Sequence, residues 1–379
     1  MSTRRDWLKR SLAVAATLPA TTLLGEKLLN APVSEAERMF RMTHRQQPTK
    51  IRLNSNENPY GPPDRVKKVF MEILSETNRY TFDAVKEMKV VLAEKEGVTP
   101  DHIAIGAGSA DTLAATGAAF SMEGGKILSA FPTYPTLMAY AEVFKTPWDK
   151  VNVNEELVCD YDEMASRVNS DTKLVFVCNP NNPTGTLVDP KKVYAFCEDI
   201  SKQVPVFADE AYMEFLEPSQ QVSAIELVKK DANVFVSRTF SKVYGLAGLR
   251  IGYLISKPDN VRKVTKTHPG IPMNQVAIAA AKACLGDTAF IEMTRKKNAE
   301  ARKVLTDYLD KKKYFYGKSY TNFVMFDAKT DALGTLNKLA EKGIAIRTWD
   351  FNNRQWLRVS VGTVDEMKTF TKVFDEMIA

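Results

Sequence analysis

The 379-residue sequence predicts an α/β fold: a large domain built on a mostly parallel sheet flanked by helices, plus a smaller α+β domain. Three observations predict it. From about Ile103, short apolar runs alternate with helix-patterned stretches, the pattern of parallel strands joined by crossover helices. Leu174-Val175-Phe176-Val177-Cys178, entered through Lys173, is continuously apolar and rich in β-branched residues, as a strand buried on both faces requires. Beyond about Gly286 the alternation stops, and a long charged helix leads into three short apolar runs and a closing helix.

Taken in order, residues 1–31 read as an export signal. Thr3-Arg4-Arg5-Asp6-Trp7-Leu8-Lys9 resembles a twin-arginine leader, with Trp7 where such leaders usually carry Phe. The apolar stretch from Ser11 to Leu24 is shorter than the roughly 20 residues that span a bilayer. Ala20 and Ala31 are both candidate cleavage positions, and an uncleaved leader would tie the chain to the membrane. The expected location is therefore periplasmic or exported; a basic arm on a cytoplasmic protein is the alternative. Residues 32–75 read as an N-terminal arm and part of the small domain, polar and irregular as far as Pro48. Residues 76–285 form the large domain. Ile103-Ala104-Ile105 precedes a helix opening near Ser109, and Lys126 to Ala130 precedes one opening after Pro135. Val204 to Ala208 and Asn233 to Ser237 repeat the theme. Residues 286–379 form the small domain: a helix to about Lys313, then Phe323-Val324-Met325-Phe326, Ile344-Ala345-Ile346, Trp356 to Val361 and a last helix.

Hydrophobic residues at 44% and charged residues at 26% are ordinary for a globular chain, which sets aside disordered and collagen-like classes. The pI of about 8.9 is not a nucleic-acid signal. Arg4, Arg5, Lys9 and Arg10 against Asp6 carry half of the formal net charge of +6, and no dense basic run interleaved with aromatics follows. The four cysteines (Cys159, Cys178, Cys197, Cys284) have neither CxxC nor metal-ligand spacing, so no metal is expected.

In open α/β sheets ligands bind just past the carboxyl ends of the strands, so the polar residues after each apolar run are the candidates. Four places stand out. Asn179-Pro180-Asn181-Asn182-Pro183-Thr184-Gly185 is a stiff turn that aims Asn182 over the sheet end, although a structural loop would have the same composition. Asp209-Glu210-Ala211-Tyr212 puts a carboxylate at a buried strand end, where it needs a partner, with Tyr212 one turn on. Arg238-Thr239-Phe240-Ser241-Lys242, followed by Gly248-Leu249-Arg250, sets a lysine among small hydroxyl residues rather than on a charged face. Gly106-Ala107-Gly108-Ser109-Ala110-Asp111 offers a tight turn into a helix N-terminus, whose free amides suit a phosphate. As one site, the helix N-terminus, Thr239, Ser241 and Arg250 would hold a phosphate, Asp209 a protonated ring nitrogen, and Asn182 and Tyr212 a phenolic oxygen. Lys242 would supply an amine. Pyridoxal 5'-phosphate (PLP) carries all of those groups.

The order of these motifs resembles the fold-type I PLP-dependent aminotransferases of class I and II, most closely the histidinol-phosphate aminotransferase family, from about Ile51 to the C-terminus. Leu53-Asn54-Ser55-Asn56-Glu57-Asn58-Pro59-Tyr60 is similar to that family's opening motif, Asn78-Arg79-Tyr80 and Pro132-Thr133-Tyr134 to two tyrosine segments, and Trp356-Leu357-Arg358-Val359-Ser360-Val361-Gly362-Thr363 to its arginine segment. The resemblance implies a seven-stranded sheet in the large domain and a transaminase that moves an amino group between an amine donor and a 2-oxo acid acceptor. It implies that Lys242 carries the cofactor as a Schiff base and that Asp209 and Tyr212 join it in catalysis. Ser109, Ala110 and Asp111 would form the phosphate turn, and Tyr134 would stack on the ring. Asn56, Tyr60, Asn182, Arg347 and Arg358 would bind substrate, Arg358 by its carboxylate and Arg347 by its phosphate. Tyr80 would reach the phosphate of the partner subunit's cofactor, which implies a homodimer with shared active sites. Twin-arginine export suits such an enzyme, because that route carries proteins already folded around a cofactor.

Several positions depart from the family pattern and point to a changed substrate. Ala110 stands in place of an acidic residue, Thr348-Trp349-Asp350 follows Arg347, and His268-Pro269-Gly270-Ile271-Pro272-Met273-Asn274 is unlike the usual segment. Asp350 would repel a phosphate if it faced the pocket. Two other readings use the same scaffold: a PLP-dependent decarboxylase of a phosphorylated amino acid, and an exported non-catalytic binding protein. The intact Lys242, Asp209, Asn182 and Arg250 set speaks against the second, because binding alone needs no reactive amine.

Overall fold

A computed structural model describes residues 50–268 and 273–378, so the leader expected over residues 1–31 and the segment Pro269 to Pro272 lie outside the described residues. Twelve strands occur among them: β1 (Ile51–Arg52), β2 (Ile103–Gly106), β3 (Lys126–Phe131), β4 (Trp148–Asn152), β5 (Thr172–Cys178), β6 (Val206–Asp209), β7 (Val234–Thr239), β8 (Gly252–Ile255), β9 (Phe323–Asp327), β10 (Ile344–Ala345), β11 (Arg347–Phe351) and β12 (Arg354–Ser360). Seven form one sheet in the order β2-β8-β7-β6-β5-β3-β4. β8 runs antiparallel to both of its neighbours, and the other pairings are parallel. The mostly parallel α/β sheet is therefore as expected.

Both faces of this sheet are covered, which is why β5, β6 and β7 are buried along almost their whole length and apolar up to their carboxyl ends. On one face Phe176, Phe207, Phe235 and Leu254 pack with Leu113, Phe120 and Leu137. The last three come from the helices Ser109–Ser121 and Thr136–Val143. On the other face Val175, Val177, Val206, Ala208, Val234 and Val236 pack with Val193, Cys197 and Ile200. Those three line one side of the helix Pro190–Ile200, which is started by Pro190 and by Asp189 accepting the Lys191 N–H. All four cysteines are buried free thiols.

A second core gathers Leu53, Leu305, Leu309, Leu336, Leu339, Phe370 and Phe374. It packs on an antiparallel sheet in the order β11-β12-β9. The two-residue period of a strand lets this sheet serve both cores. Phe323 and Met325 of β9 and Trp356 of β12 belong to the first core; Val324, Phe326, Leu357 and Val359 belong to the second. β1 pairs in parallel with β10, so residues from the start of the described chain lie beside its C-terminal part. Residues 32–75 divide accordingly. Ile51 to Leu53 join the second core, while the helix Asp64–Ile73 packs on the helix Gln275–Cys284 and places Val66 in the first.

Four strands were not foreseen, among them the two-residue β1 inside the expected N-terminal arm. β4 is an edge strand with a polar sequence, and β11 alternates buried Arg347, Trp349 and Phe351 with more exposed Thr348 and Asp350. β8 returns antiparallel to β7 with no crossover helix between them, so the strand–helix alternation does not mark it.

Candidate active site

The carboxyl ends of β2, β5, β6 and β7 open into a cavity of roughly 340 Å³. Three groups of residues line it. From the large sheet come Ser109, Ala110, Tyr134, Asn182, Asp209, Tyr212, Thr239, Ser241, Lys242 and Arg250. From the turn after β1 come Asn54, Ser55, Asn56 and Glu57, and from β11 and β12 come Arg347 and Arg358. Two residues expected at the site face elsewhere. The Asp111 carboxylate turns back to accept the Ala107 N–H at 2.9 Å and pairs with His268 at 2.6 Å, so it braces the turn from behind. Tyr60 lies outside this cavity, with Lys297 over its ring. Tyr80 is 84% exposed at the protein surface.

The phosphate end of the cavity is built from backbone and small residues. Gly108, at φ +82°, leads into the helix Ser109–Ser121, whose first-turn amides have no partners within the helix. Any Cβ on Gly108 would run into the Arg250 guanidinium. That guanidinium donates to Ala107 O at 3.1 Å and to the Ser241 hydroxyl at 3.3 Å. Arg250 itself adopts a left-handed φ of 57°, uncommon for a residue other than glycine. Ser241 N–H donates to the Thr239 hydroxyl at 3.1 Å, fixing both hydroxyls beside the helix end. Two hydroxyls, a guanidinium and free helix amides make a complete phosphate donor set.

Lys242 and Asp209 stand across the middle of the cavity. Burial, with the charges of Arg358 and Arg250, pushes the Lys242 amine down to about 7; its Nζ donates to the carbonyls of Asn56 at 3.3 Å and Ser55 at 3.4 Å and lies over the Tyr212 ring, 5.6 Å from its centroid. Burial pushes the Asp209 carboxyl up to about 7, and it accepts the Ala211 N–H at 3.2 Å. An amine half neutral near pH 7 is a competent nucleophile, and a carboxyl held at a dry strand end is poised to receive a cationic partner. Tyr212 accepts from Asn56 Nδ2 at 2.9 Å and from Asn182 Nδ2 at 3.4 Å. Asn56, at φ 54°, is held in turn by Ser360, whose hydroxyl receives its N–H at 2.8 Å and donates to its Oδ1 at 2.9 Å.

The third wall is cationic. Arg358 Nη1 donates to Asn182 Oδ1 at 2.6 Å and Nη2 to Asn54 O at 3.0 Å, while its buried Nε has no hydrogen-bond partner among the described residues. Arg347 Nε donates to the same carbonyl at 2.9 Å. Burial, with Arg358 adding, pushes Arg347 down to about 9, and burial pushes Arg358 down to about 10; both remain cationic at neutral pH. Two guanidinium groups converging in a buried wall are an anion-binding arrangement. Asp350 is exposed on β11 and does not line the cavity.

Four polar contributors were missed as site residues: Asn54, Ser55 and Glu57 on the wall, and Ser360 behind Asn56; Ala211 and Ala247 also line it. Asn54, Ser55 and Glu57 adjoin Asn56 in sequence, so the signal was contiguity with a residue already singled out. A phosphate cradle, a carboxyl at a dry strand end, a tyrosine–amide pair and a depressed lysine fit one group: PLP, whose phosphate, ring nitrogen, phenolic oxygen and aldehyde match them one for one. Among the described residues no cluster could hold a metal ion, and no helix is long and apolar enough to cross a membrane.

Comparison with known proteins agrees with that fit. The family model for aminotransferase class I and II matches residues 48–374. A histidinol-phosphate aminotransferase of Caldicellulosiruptor saccharolyticus is 33% identical over 348 residues, covering 92% of this chain and 96% of its own. The crystal structure of histidinol-phosphate aminotransferase from Sinorhizobium meliloti, in complex with pyridoxal-5'-phosphate, superposes with a TM-score of 0.79 at 27% identity, covering 92% of this chain and 97% of that one. The L-threonine-O-3-phosphate decarboxylase of Porphyromonas gingivalis has a TM-score of 0.75 at 21% identity, covering 86% of this chain and 99% of that one, a likeness of fold alone.

Proposed function

The chain belongs to the class I and II aminotransferases and is a PLP-dependent enzyme, and we propose that Lys242, Asp209 and Arg358 divide its chemistry between proton transfer, ring polarisation and substrate capture. The observation that carries this reading is the meeting of a depressed lysine, a raised carboxyl and a buried arginine in one cavity. The family assignment favours transamination over decarboxylation and over a binding protein.

Ser109 and Ala110 amides, Thr239, Ser241 and Arg250 would hold the cofactor phosphate; Tyr212 and Asn182 the phenolic oxygen; Asp209 the ring nitrogen; and Tyr134 one ring face. When bound, the cofactor supplies an electron sink for the carbon that bears the amino group. Lys242 Nζ, half neutral near pH 7, would take the proton from the donor's α carbon and pass it to the cofactor's aldehyde carbon, and would reverse that transfer for the 2-oxo acid acceptor. Asp209 keeps a proton on the ring nitrogen by charge pairing in a dry site. Arg358 presents a planar fork to the substrate carboxylate or phosphate, and Asn56 steadies Tyr212 against it.

The paired Arg347 and Arg358 support an amine substrate that carries an anionic group, with a histidinol-phosphate-like amine as one candidate. The leader supports twin-arginine export, and exposed Tyr80 supports a homodimer with shared sites. A fusion of residues 1–31 to a folded reporter tests export: replacing Arg4 and Arg5 by lysine should strand the reporter in the cytoplasm, and an unchanged distribution would refute the route.

The visible spectrum tests the central reading. Adding amino donors one at a time to the loaded protein should bleach the cofactor band, and a 2-oxo acid should restore it. Lys242→Ala should abolish the cycle. Carbon dioxide release with a donor that bleaches nothing would replace transamination with decarboxylation, and a protein that takes up no PLP would overturn the assignment of the cavity.

A further inference from the structure

Asp209 is flanked in register by two residues of neighbouring strands, Cys178 on β5 and Ser237 on β7. Registered partners in a parallel sheet point to the same face, and adjacent strands lie about 4.8 Å apart, so both side chains stand beside the Asp209 carboxyl. The two neighbours differ in what their donors do. Cys178 spends its weak S–H donor on Pro180 O at 3.5 Å. Ser237 is fully buried, and among the described residues its Oγ has no hydrogen-bond partner. A buried hydroxyl left unsatisfied is costly and calls for an explanation. The Asp209 carboxylate meanwhile receives one N–H, from Ala211 at 3.2 Å, and has room for further donors.

We propose that Ser237 is a positioning residue of the cofactor site, whose hydroxyl donates to the Asp209 carboxylate once that carboxylate is ionised against the cofactor's ring nitrogen. The proposal rests on the assignment of Asp209 to the ring nitrogen. With no cofactor bound, burial holds Asp209 up near 7, so the carboxyl is largely protonated below that pH and has less call on an extra donor. Ionised and paired, it is an acceptor-only group in a dry site, and a second donor fixes its rotamer as well as its charge. Ser237 is thus idle in one state and engaged in the other.

This predicts opposite signs for one substitution in two states. Ser237→Ala removes an unsatisfied buried hydroxyl from the cofactor-free protein, whose melting temperature should hold or rise by about 1–2 °C. In the loaded enzyme the same change removes a bond to a charged acceptor, so cofactor affinity, measured by fluorescence titration with PLP, should fall roughly tenfold. Asp209→Asn should itself weaken PLP binding, and Ser237→Ala added to it should cost nothing more, because the two residues act as a pair. Parallel shifts of the free and loaded melting temperatures with unchanged PLP affinity would overturn the proposal and leave Ser237 a packing residue. An equal loss on Ser237→Ala in the Asp209→Asn background would also overturn it. An Asp209→Asn variant that binds PLP as well as the parent would overturn the ring-nitrogen assignment, and Ser237 with it.

Discussion

At the scale of single residues, the site is defined by what burial does to charge. Asp209 is raised from 3.8 to about 7 and Lys242 lowered from 10.5 to about 7, each chiefly by desolvation. The signs of the two effects on stability are opposite. A raised carboxyl stabilises the fold fully below its unfolded pKa, and that contribution is lost as pH climbs to about 7. A lowered amine holds the folded protein back until its proton leaves, so stability is regained as pH rises from about 7 toward 10.5. In cofactor-free protein the pair's contribution is therefore lowest near pH 7. Melting temperature against pH, compared with Asp209→Asn and Lys242→Met, should lose the acid limb in the first variant and the alkaline limb in the second. Difference curves that stay flat would mean that neither group is desolvated as described. Arg358 is tested by a smaller change. Arg358→Lys keeps the charge but not the fork that reaches Asn182 and Asn54, so KM for a carboxylate substrate should rise by roughly 10- to 100-fold. An unchanged KM would place the carboxylate elsewhere.

At the scale of elements, β6 and β7 carry the chemistry on one face and a buried ion pair on the other. The alternation that points Asp209 and Thr239 into the cavity points Glu210 and Arg238 the opposite way. Arg238 Nη2 meets Glu210 at 2.8 Å and donates to Ser223 at 3.1 Å, and Nη1 reaches Glu214 at 3.3 Å. Breaking a buried pair by removing one partner leaves an uncompensated charge, so Arg238→Ala should destabilise the protein by about 3–5 kcal/mol in urea unfolding. A loss under about 1 kcal/mol would mean that water or a neighbour replaces the guanidinium. The same elements explain what could be read in advance. β5, β6 and β7 are buried on both faces and announce themselves as apolar runs, and Asn182, Asp209 and Lys242 follow them directly. β4 and β11 have mixed faces, and β8 lacks a crossover helix, so their sequences carry no equivalent mark. Asp111 was misplaced because the start of a helix fixes the backbone but not which way a carboxylate turns; His268, distant in sequence, draws it away from the cavity. Asn54, Ser55 and Glu57 reach the site through the pairing of β1 with β10, a contact between the two ends of the described chain that no local pattern encodes.

At the scale of the whole molecule, the described residues leave large apolar side chains exposed. Tyr80 is 84% exposed and Phe82 60%, their rings 5.8 Å apart, and Met71 and Leu74 are 76% and 54% exposed on the neighbouring helical segments. Clustered large apolar groups on a soluble surface mark a contact face. A two-fold dimer through this face would deliver Tyr80 to the partner's phosphate cradle, so each site would need both chains. Complementation tests this more sharply than molecular mass does. Lys242→Ala lacks the amine and Tyr80→Ala lacks the tyrosine, so each variant alone should be impaired at both of its sites. In a mixed dimer, the Lys242 of the Tyr80→Ala chain meets the Tyr80 of the Lys242→Ala chain, and that one site is intact. Random re-association puts about half of the dimers in the mixed form, each with one good site of two, so activity should return to roughly a quarter of the parent's. If mixing restores nothing while the variants do exchange subunits, Tyr80 serves its own protomer or no site at all, and the sharing of sites falls even if the dimer stands.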